Sequence, residues 1–178
     1  MSMCCGEKQV RGAAKRVLLS LGSNLGDRDA NLKKGLDGIS KLPGVEVRAV
    51  SRCYETAPQG NPHQPCFLNM AVVVETDMPP ERLLRELKGI EEQLGRPANS
   101  HGRPRPIDID IILWEGVTMR SNELTIPHIA FRRRRFVLVP AAEVAPDMRD
   151  PETGLSVREL VARPEAEGAV TLYQPQHR

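Results

Sequence analysis

Phe67-Leu68-Asn69-Met70-Ala71-Val72-Val73-Val74-Glu75-Thr76 is a ten-residue run dense in β-branched side chains. Such side chains fit a pleated, buried surface, so the run reads as a central strand. Working outward from it sets the element order. Upstream, Thr56 to Pro65 holds three prolines and a glycine, which forbids regular structure and marks a long loop of the kind that often carries function. Before that loop, Val45, Val47 and Ala49 alternate with Glu46, Arg48 and Val50, the pattern of a half-buried strand. Earlier still, Asp27 caps a helix whose apolar positions are Ala30, Leu32, Leu36 and Ile39, stopped by Leu42-Pro43-Gly44. Val17 to Leu21 is a first buried strand that ends in the turn Gly22-Ser23-Asn24.

Downstream, Pro79-Pro80 opens a helix with a stripe of Leu83, Leu84, Leu87, Ile90 and Leu94, ended by Gly95. Arg96 to Arg105 is a second irregular loop, strongly basic, and Pro106 to Leu113 is a fourth strand. Val137 to Val144 reads as a buried helix or a strand–helix junction, and Leu155 to Ala162 as a short last helix. The order is βαββαβ with an α-rich end, which is the ferredoxin-like α+β sandwich. Helices should cover one sheet face, with the long loops and the C-terminal segment covering the other. We read residues 1–15 as a flexible N-terminal tail, 16–165 as one domain and 166–178 as a C-terminal tail.

The 178 residues suit one domain, with 40% hydrophobic and 27% charged residues. A net charge of +2 argues against a general polyanion partner, and with Phe67 as the single strand aromatic able to stack, a nucleic-acid platform is missing. Met1 to Arg16 lacks an apolar signal core, and no stretch is long and apolar enough to span a membrane. Cys4, Cys5, Cys53 and Cys66 show no paired spacing, so free thiols in a reducing cytoplasm are expected.

Asp108-Ile109-Asp110 is the sharpest chemical signal. Residues two apart on a strand share a face, so both carboxylates project together while Ile107, Ile109 and Ile111 point into the opposite, buried face. The pair is either a solvated strand edge or a site for a hard divalent cation bound through oxygen. Arg96, Arg103 and Arg105 feed this strand and can pair with the acids or clamp phosphates. Gly22-Ser23-Asn24-Leu25-Gly26 lacks a P-loop lysine and is as well explained by a tight turn. His128 and the run Arg132 to Arg135 are a solvated basic turn or a source of one or two phosphate contacts, since four successive side chains cannot all face one site. Phe67 and Asn69 share a strand face and could take a flat heterocycle, although Phe67 and Phe136 are equally natural core residues.

Seven stretches, in order, resemble the 6-hydroxymethyl-7,8-dihydropterin pyrophosphokinase family: Leu19 to Gly26, Ser51 to Pro58, Phe67 to Asn69, Gly95-Arg96, Arg105 to Ile112, Ile126 to His128 and Arg134 to Leu138. The resemblance implies transfer of pyrophosphate from ATP to a pterin hydroxymethyl group in folate synthesis, with two Mg²⁺ ions on Asp108 and Asp110. It implies catalytic roles for Arg96 and Arg105, ATP contacts from Glu91, Arg96, Arg105, Ile111, Thr125, His128 and Arg134, and pterin contacts from Thr56, Ala57, Gly60, Phe67, Asn69 and Phe136. It implies a cytoplasmic monomer or weak dimer that binds neither nucleic acid nor membrane. The stretch Gly102-Arg103-Pro104-Arg105 departs from the family, which has an aromatic and then glycine before the proline. That change carries an alternative, a diverged nucleotide-binding relative with weak or no catalysis, and suggests Arg103 as a replacement phosphate contact.

Overall fold

The structure is a computed structural model that describes residues 12–59, 61–97 and 102–175. Its elements are β1 (Lys15–Ser23), α1 (Arg28–Ser40), β2 (Val45–Val50), β3 (Tyr54–Thr56), β4 (Phe67–Thr76), α2 (Pro80–Gln93), β5 (Asp108–Trp114), β6 (Met119–Arg120), β7 (Thr125–Ile126), a 3₁₀ turn (Phe131–Arg133), α3 (Arg135–Val144), α4 (Val157–Val161) and β8 (Thr171–Leu172). The main sheet runs β5-β1-β4-β3-β8, and β2 also pairs with β4. Every pairing named for it is antiparallel. β2 and β3 occupy successive halves of the same β4 edge, β2 against Val72–Thr76 and β3 against Phe67–Asn69. Taken as one interrupted strand, they complete the ferredoxin-like order.

The central strands are buried on both faces, which explains their near-continuous apolar sequence. One core joins Val17, Leu19 and Leu21 of β1, Val72 and Val74 of β4, and Ile107, Ile109 and Ile111 to the stripes of α1 and α2. The opposite core joins Leu18, Val73 and Leu113 to Phe131, Leu138 and Ala141 under α3 and α4. The predicted two-sided cover therefore stands, with the second layer made by the C-terminal helices rather than by the long loops. Local signals act as read from sequence: Asp27 Oδ1 accepts from the Ala30 N–H at 3.0 Å, and Pro80 sits in the first turn of α2. Gly95, with φ +89°, follows that helix in the left-handed region where glycine is favoured.

Two boundaries differ. Lys15 already belongs to β1; residues 1–11 of the expected tail lie outside the described residues. The segment expected to tail off from 166 is built into the fold instead. Ala166 is buried, Glu167 exchanges backbone hydrogen bonds with Arg133 and Arg135, and β8 pairs with Tyr54 and Glu55 of β3. Strand pairing over two residues carries too weak a periodic signal to be read in advance.

Arg132 anchors this C-terminal layer. Its Nε and Nη2 donate to the Asp150 carboxylate at 2.6 and 2.9 Å, and Asp150 is fully buried. Thr153 Oγ1 and the Glu152 N–H also donate to that carboxylate. Burial alone would raise the Asp150 pKa, but Arg132, Thr153 and the Glu152 amide together hold it below the usual carboxylate range. A depressed carboxyl contributes stability above its unfolded value, and that stability is lost as pH falls through the lower folded value. Arg132→Ala leaves an uncompensated buried charge and should cost about 3 kcal/mol at neutral pH. Urea unfolding should show this loss shrinking as the solution is acidified and the orphaned carboxyl protonates; a pH-independent loss would assign the effect to packing.

Candidate active site

The sheet register assembles the site. Ile107, Ile109 and Ile111 are locked into the α1–α2 core, so Asp108 and Asp110 emerge on the other face. On β1, Gly22 lies opposite Asp108 and Ser20 opposite Asp110. On β4, Asn69 lies opposite Gly22, and on β3, Thr56 lies opposite Phe67. These residues floor and wall one cleft of about 190 Å³, closed on the α3 side by Arg134 and Phe136. Gly22 keeps the floor low: a Cβ there would meet Asn69 Oδ1 at 3.2 Å.

One end of the cleft is flat and weakly polar. Asn69 is buried and donates from Nδ2 to Thr56 Oγ1 at 2.8 Å. Phe67 lies 5.4 Å from the Arg105 guanidinium and Phe136 lies 5.7 Å from that of Arg134. Both rings are half-buried on the cleft wall, and Phe136 also packs against the core beneath α3 and α4. Ala57 also lines this end, and Gly60 lies outside the described residues.

The other end is a charge chain. Lys88 Nζ pairs with Glu91 at 3.0 Å, and Arg96 Nη1 with Glu91 Oε1 at 2.8 Å. The same Arg96 Nη1 bonds to Asp108 Oδ1, while Arg105 Nη2 takes Asp108 Oδ2 at 2.7 Å. Burial pushes the Asp108 carboxyl up, but the two guanidinium groups outweigh it and hold the carboxyl below its ordinary range. Asp110 makes no ion pair among the described residues. Burial, and then the charge of Asp108, pushes its carboxyl up. His128 is held by its own N–H to the Ile112 carbonyl at 2.9 Å. Burial lowers its imidazole pKa more than the nearby Asp110 charge raises it.

The arginine run separates as its geometry demands. Arg132 is bound to Asp150 and Glu152, and Arg133 faces Glu167 at 3.6 Å. Arg134 alone of the four lines the cleft. Arg103 is exposed and is not a lining residue; its carbonyl accepts from Arg105 Nη1 at 3.3 Å. Of the expected nucleotide contacts, Arg105 and Arg134 line the cleft, whereas Glu91, Arg96, Ile111, Thr125 and His128 are not among its lining residues. Glu91 is buried behind Arg96, and its Oε1 also accepts from the Ile109 N–H at 2.6 Å, so its side chain braces the site rather than facing it. Ile111 is core, and Thr125 lies in β7 opposite Arg120, away from the cleft lining.

Asn24 and Gln64 are residues whose roles sequence reasoning missed. Asn24 is buried and ties both long loops together. Its Nδ2 donates to Gln64 Oε1 at 3.1 Å, and its Oδ1 accepts from the Arg105 N–H at 2.9 Å. Gln64 Nε2 in turn donates to the Gly102 carbonyl at 2.5 Å. The available signal was a polar residue directly after a buried strand and glycine, which turn chemistry explained equally well.

The chain matches the family model described as 7,8-dihydro-6-hydroxymethylpterin-pyrophosphokinase over residues 18–146. It is 41% identical over 153 residues to the 2-amino-4-hydroxy-6-hydroxymethyldihydropteridine pyrophosphokinase of Methylorubrum extorquens, covering 86% of this chain and 96% of that protein. The Pseudomonas aeruginosa protein of the same name is 36% identical, with 86% and 94% covered. The folic acid synthesis protein fol1 of Schizosaccharomyces pombe is 38% identical over 89% of this chain, which spans only 22% of that protein. The HPPK-DHPS protein of Plasmodium falciparum, crystallised with pteroate, aligns with TM-score 0.67 at 16% identity. That alignment covers 83% of this chain and 42% of the other, and it speaks to the fold.

The two aspartates should respond oppositely to neutralisation. The raised Asp110 pKa means its charged form is disfavoured in the fold, so Asp110→Asn should stabilise the protein in EDTA at neutral pH. The depressed Asp108 pKa means its charge is stabilising, and Asp108→Asn should cost about 2 kcal/mol. Thermal unfolding of the two variants in EDTA checks the pair of signs.

Proposed function

The chain belongs to the 7,8-dihydro-6-hydroxymethylpterin-pyrophosphokinase family, and from that premise we propose how its cleft transfers pyrophosphate from ATP to 6-hydroxymethyl-7,8-dihydropterin. The reaction gives AMP and the pterin diphosphate, a step of folate biosynthesis. One observation carries the assignment of the site: a carboxylate pair with an arginine clamp and a flat amide-and-aromatic slot share a single cleft.

The slot suits a pterin. Asn69 and Thr56 offer donors and acceptors to the edge of a flat heterocycle, and Phe67 and Phe136 offer faces to its ring. Arg96, Arg105 and Arg134 suit the polyphosphate, because a guanidinium fork matches phosphate oxygens as well as it matches a carboxylate. The pterin hydroxymethyl oxygen attacks the β-phosphorus, the bond from that phosphorus to the α–β bridging oxygen breaks, and AMP leaves with the bridging oxygen. The hydroxyl proton is released. Such a transfer needs little covalent help, so holding the two substrates in line and neutralising charge carries the catalysis. The two loops joined through Asn24 and Gln64 exclude water that would otherwise take the pyrophosphoryl group.

Asp108 and Asp110 fit a hard cation. The described residues contain no group of three or more His, Cys, Asp and Glu side chains able to hold a metal. Two carboxylates on one strand face, completed by phosphate oxygens and water, are the ligand set Mg²⁺ favours. Two Mg²⁺ ions there would neutralise phosphate charge and make the attacking hydroxyl more acidic. Cys53 and Cys66 are free thiols, in keeping with a cytoplasmic location, and no helix among the described residues is long and apolar enough to cross a membrane.

AMP release from ATP and Mg²⁺ should depend on the pterin and vanish with EDTA; ATP binding without AMP would favour a non-catalytic relative. Asn69→Ala should raise KM for the pterin about ten-fold by removing a buried hydrogen-bonding partner. KM for ATP should hold, and equal losses for both substrates would make Asn69 structural.

A further inference from the structure

The two aspartates of β5 are not equivalent ligands. Both oxygens of Asp108 are engaged, Oδ1 by Arg96 and Oδ2 by Arg105. Arg96 is fixed from behind by Glu91, and Glu91 by Lys88 and the Ile109 amide. Arg105 has Asp108 as its one acidic partner among the described residues. Asp110 lies on the same face of the same cleft and makes no ion pair among the described residues. A cation seeking Asp108 must compete with two guanidinium groups, and taking the carboxylate would leave Arg105 half-buried without an anion.

Resting on the assignment of Asp108 and Asp110 as the metal ligands, we propose that Asp110 alone admits the first metal ion. Asp108 is released to metal only when an oligophosphate draws Arg96 and Arg105 onto itself. Carboxylate and phosphate present the same acceptor geometry to a guanidinium, so the exchange leaves each arginine with an equivalent partner. Metal without phosphate has no means of making that exchange. The metal site is thereby completed by the substrate, and the coupling is reciprocal: nucleotide tightens metal as much as metal tightens nucleotide.

The test is Mn²⁺ binding to the nucleotide-free protein, read by electron paramagnetic resonance of free Mn²⁺. Asp110→Asn should remove most of the binding, while Asp108→Asn should leave it nearly unchanged. Arg105→Met should tighten it about ten-fold, and the gain should disappear in the Arg105→Met/Asp108→Asn double variant, the signature of direct coupling. Equal losses in the two aspartate variants overturn the proposal. So does a gain that survives in the double variant, which would be a through-space charge effect, and so does an Arg105→Met protein that binds no Mn²⁺. Should Arg105→Met fail to fold, the two isosteric aspartate variants decide the matter alone. Pterin-dependent AMP release by the wild type tests the underlying function separately, so an active enzyme with two equally important aspartates would keep that function and lose this inference.

Discussion

The alternation of side chains along β5 is the constraint from which the site follows. Ile107, Ile109 and Ile111 are pinned in the core beneath α1 and α2. A one-residue slip would expel the three isoleucines and bring both carboxylates into that core, so register is enforced by a large hydrophobic penalty. The reward appears on the other face, where α3 and α4 cover the sheet only in part. At the uncovered end, β5, β1 and β4 turn Asp108, Gly22 and Asn69 toward one cleft in a single row. Chemistry and packing thus use alternate residues of the same strands.

Charge is arranged with the same economy. Lys88, Glu91, Arg96, Asp108 and Arg105 alternate in sign from α2 into the cleft. Buried charges persist because each has an opposite neighbour. The chain stops at Asp110, where burial and a like charge act together. An unpaired carboxylate at the end of an otherwise balanced series is the place where a cation gains most.

Much of this was legible in the residues. Strand alternation at 107–111, the cap at Asp27 and the glycine after α2 are local signals, and local signals survive folding. The likeness of seven ordered stretches supplied the family, and with it the slot residues Thr56, Phe67, Asn69 and Phe136. What remained hidden depends on contacts distant in sequence. Asn24 reaches Arg105 across 81 positions, and Arg132 reaches Asp150 from a run of four chemically identical side chains. No periodicity distinguishes Arg132 from Arg134; only the direction of the 3₁₀ turn into α3 does so. Glu91 was assigned by likeness to the nucleotide, whereas its burial makes it the support beneath Arg96.

The short β8 has a consequence for self-association. An open sheet ends in rows of unsatisfied backbone groups that invite another chain. β8 lies along β3 and covers that row just before the loop that follows Thr56. The outer side of β5 receives the His128 amide at Ile112, and two of the three exposed positions of β2, Glu46 and Arg48, are bound to one another. Backbone cover and charge thus guard the sheet margins against strand addition by a second molecule, with Thr171 and Leu172 guarding the margin beside the cleft.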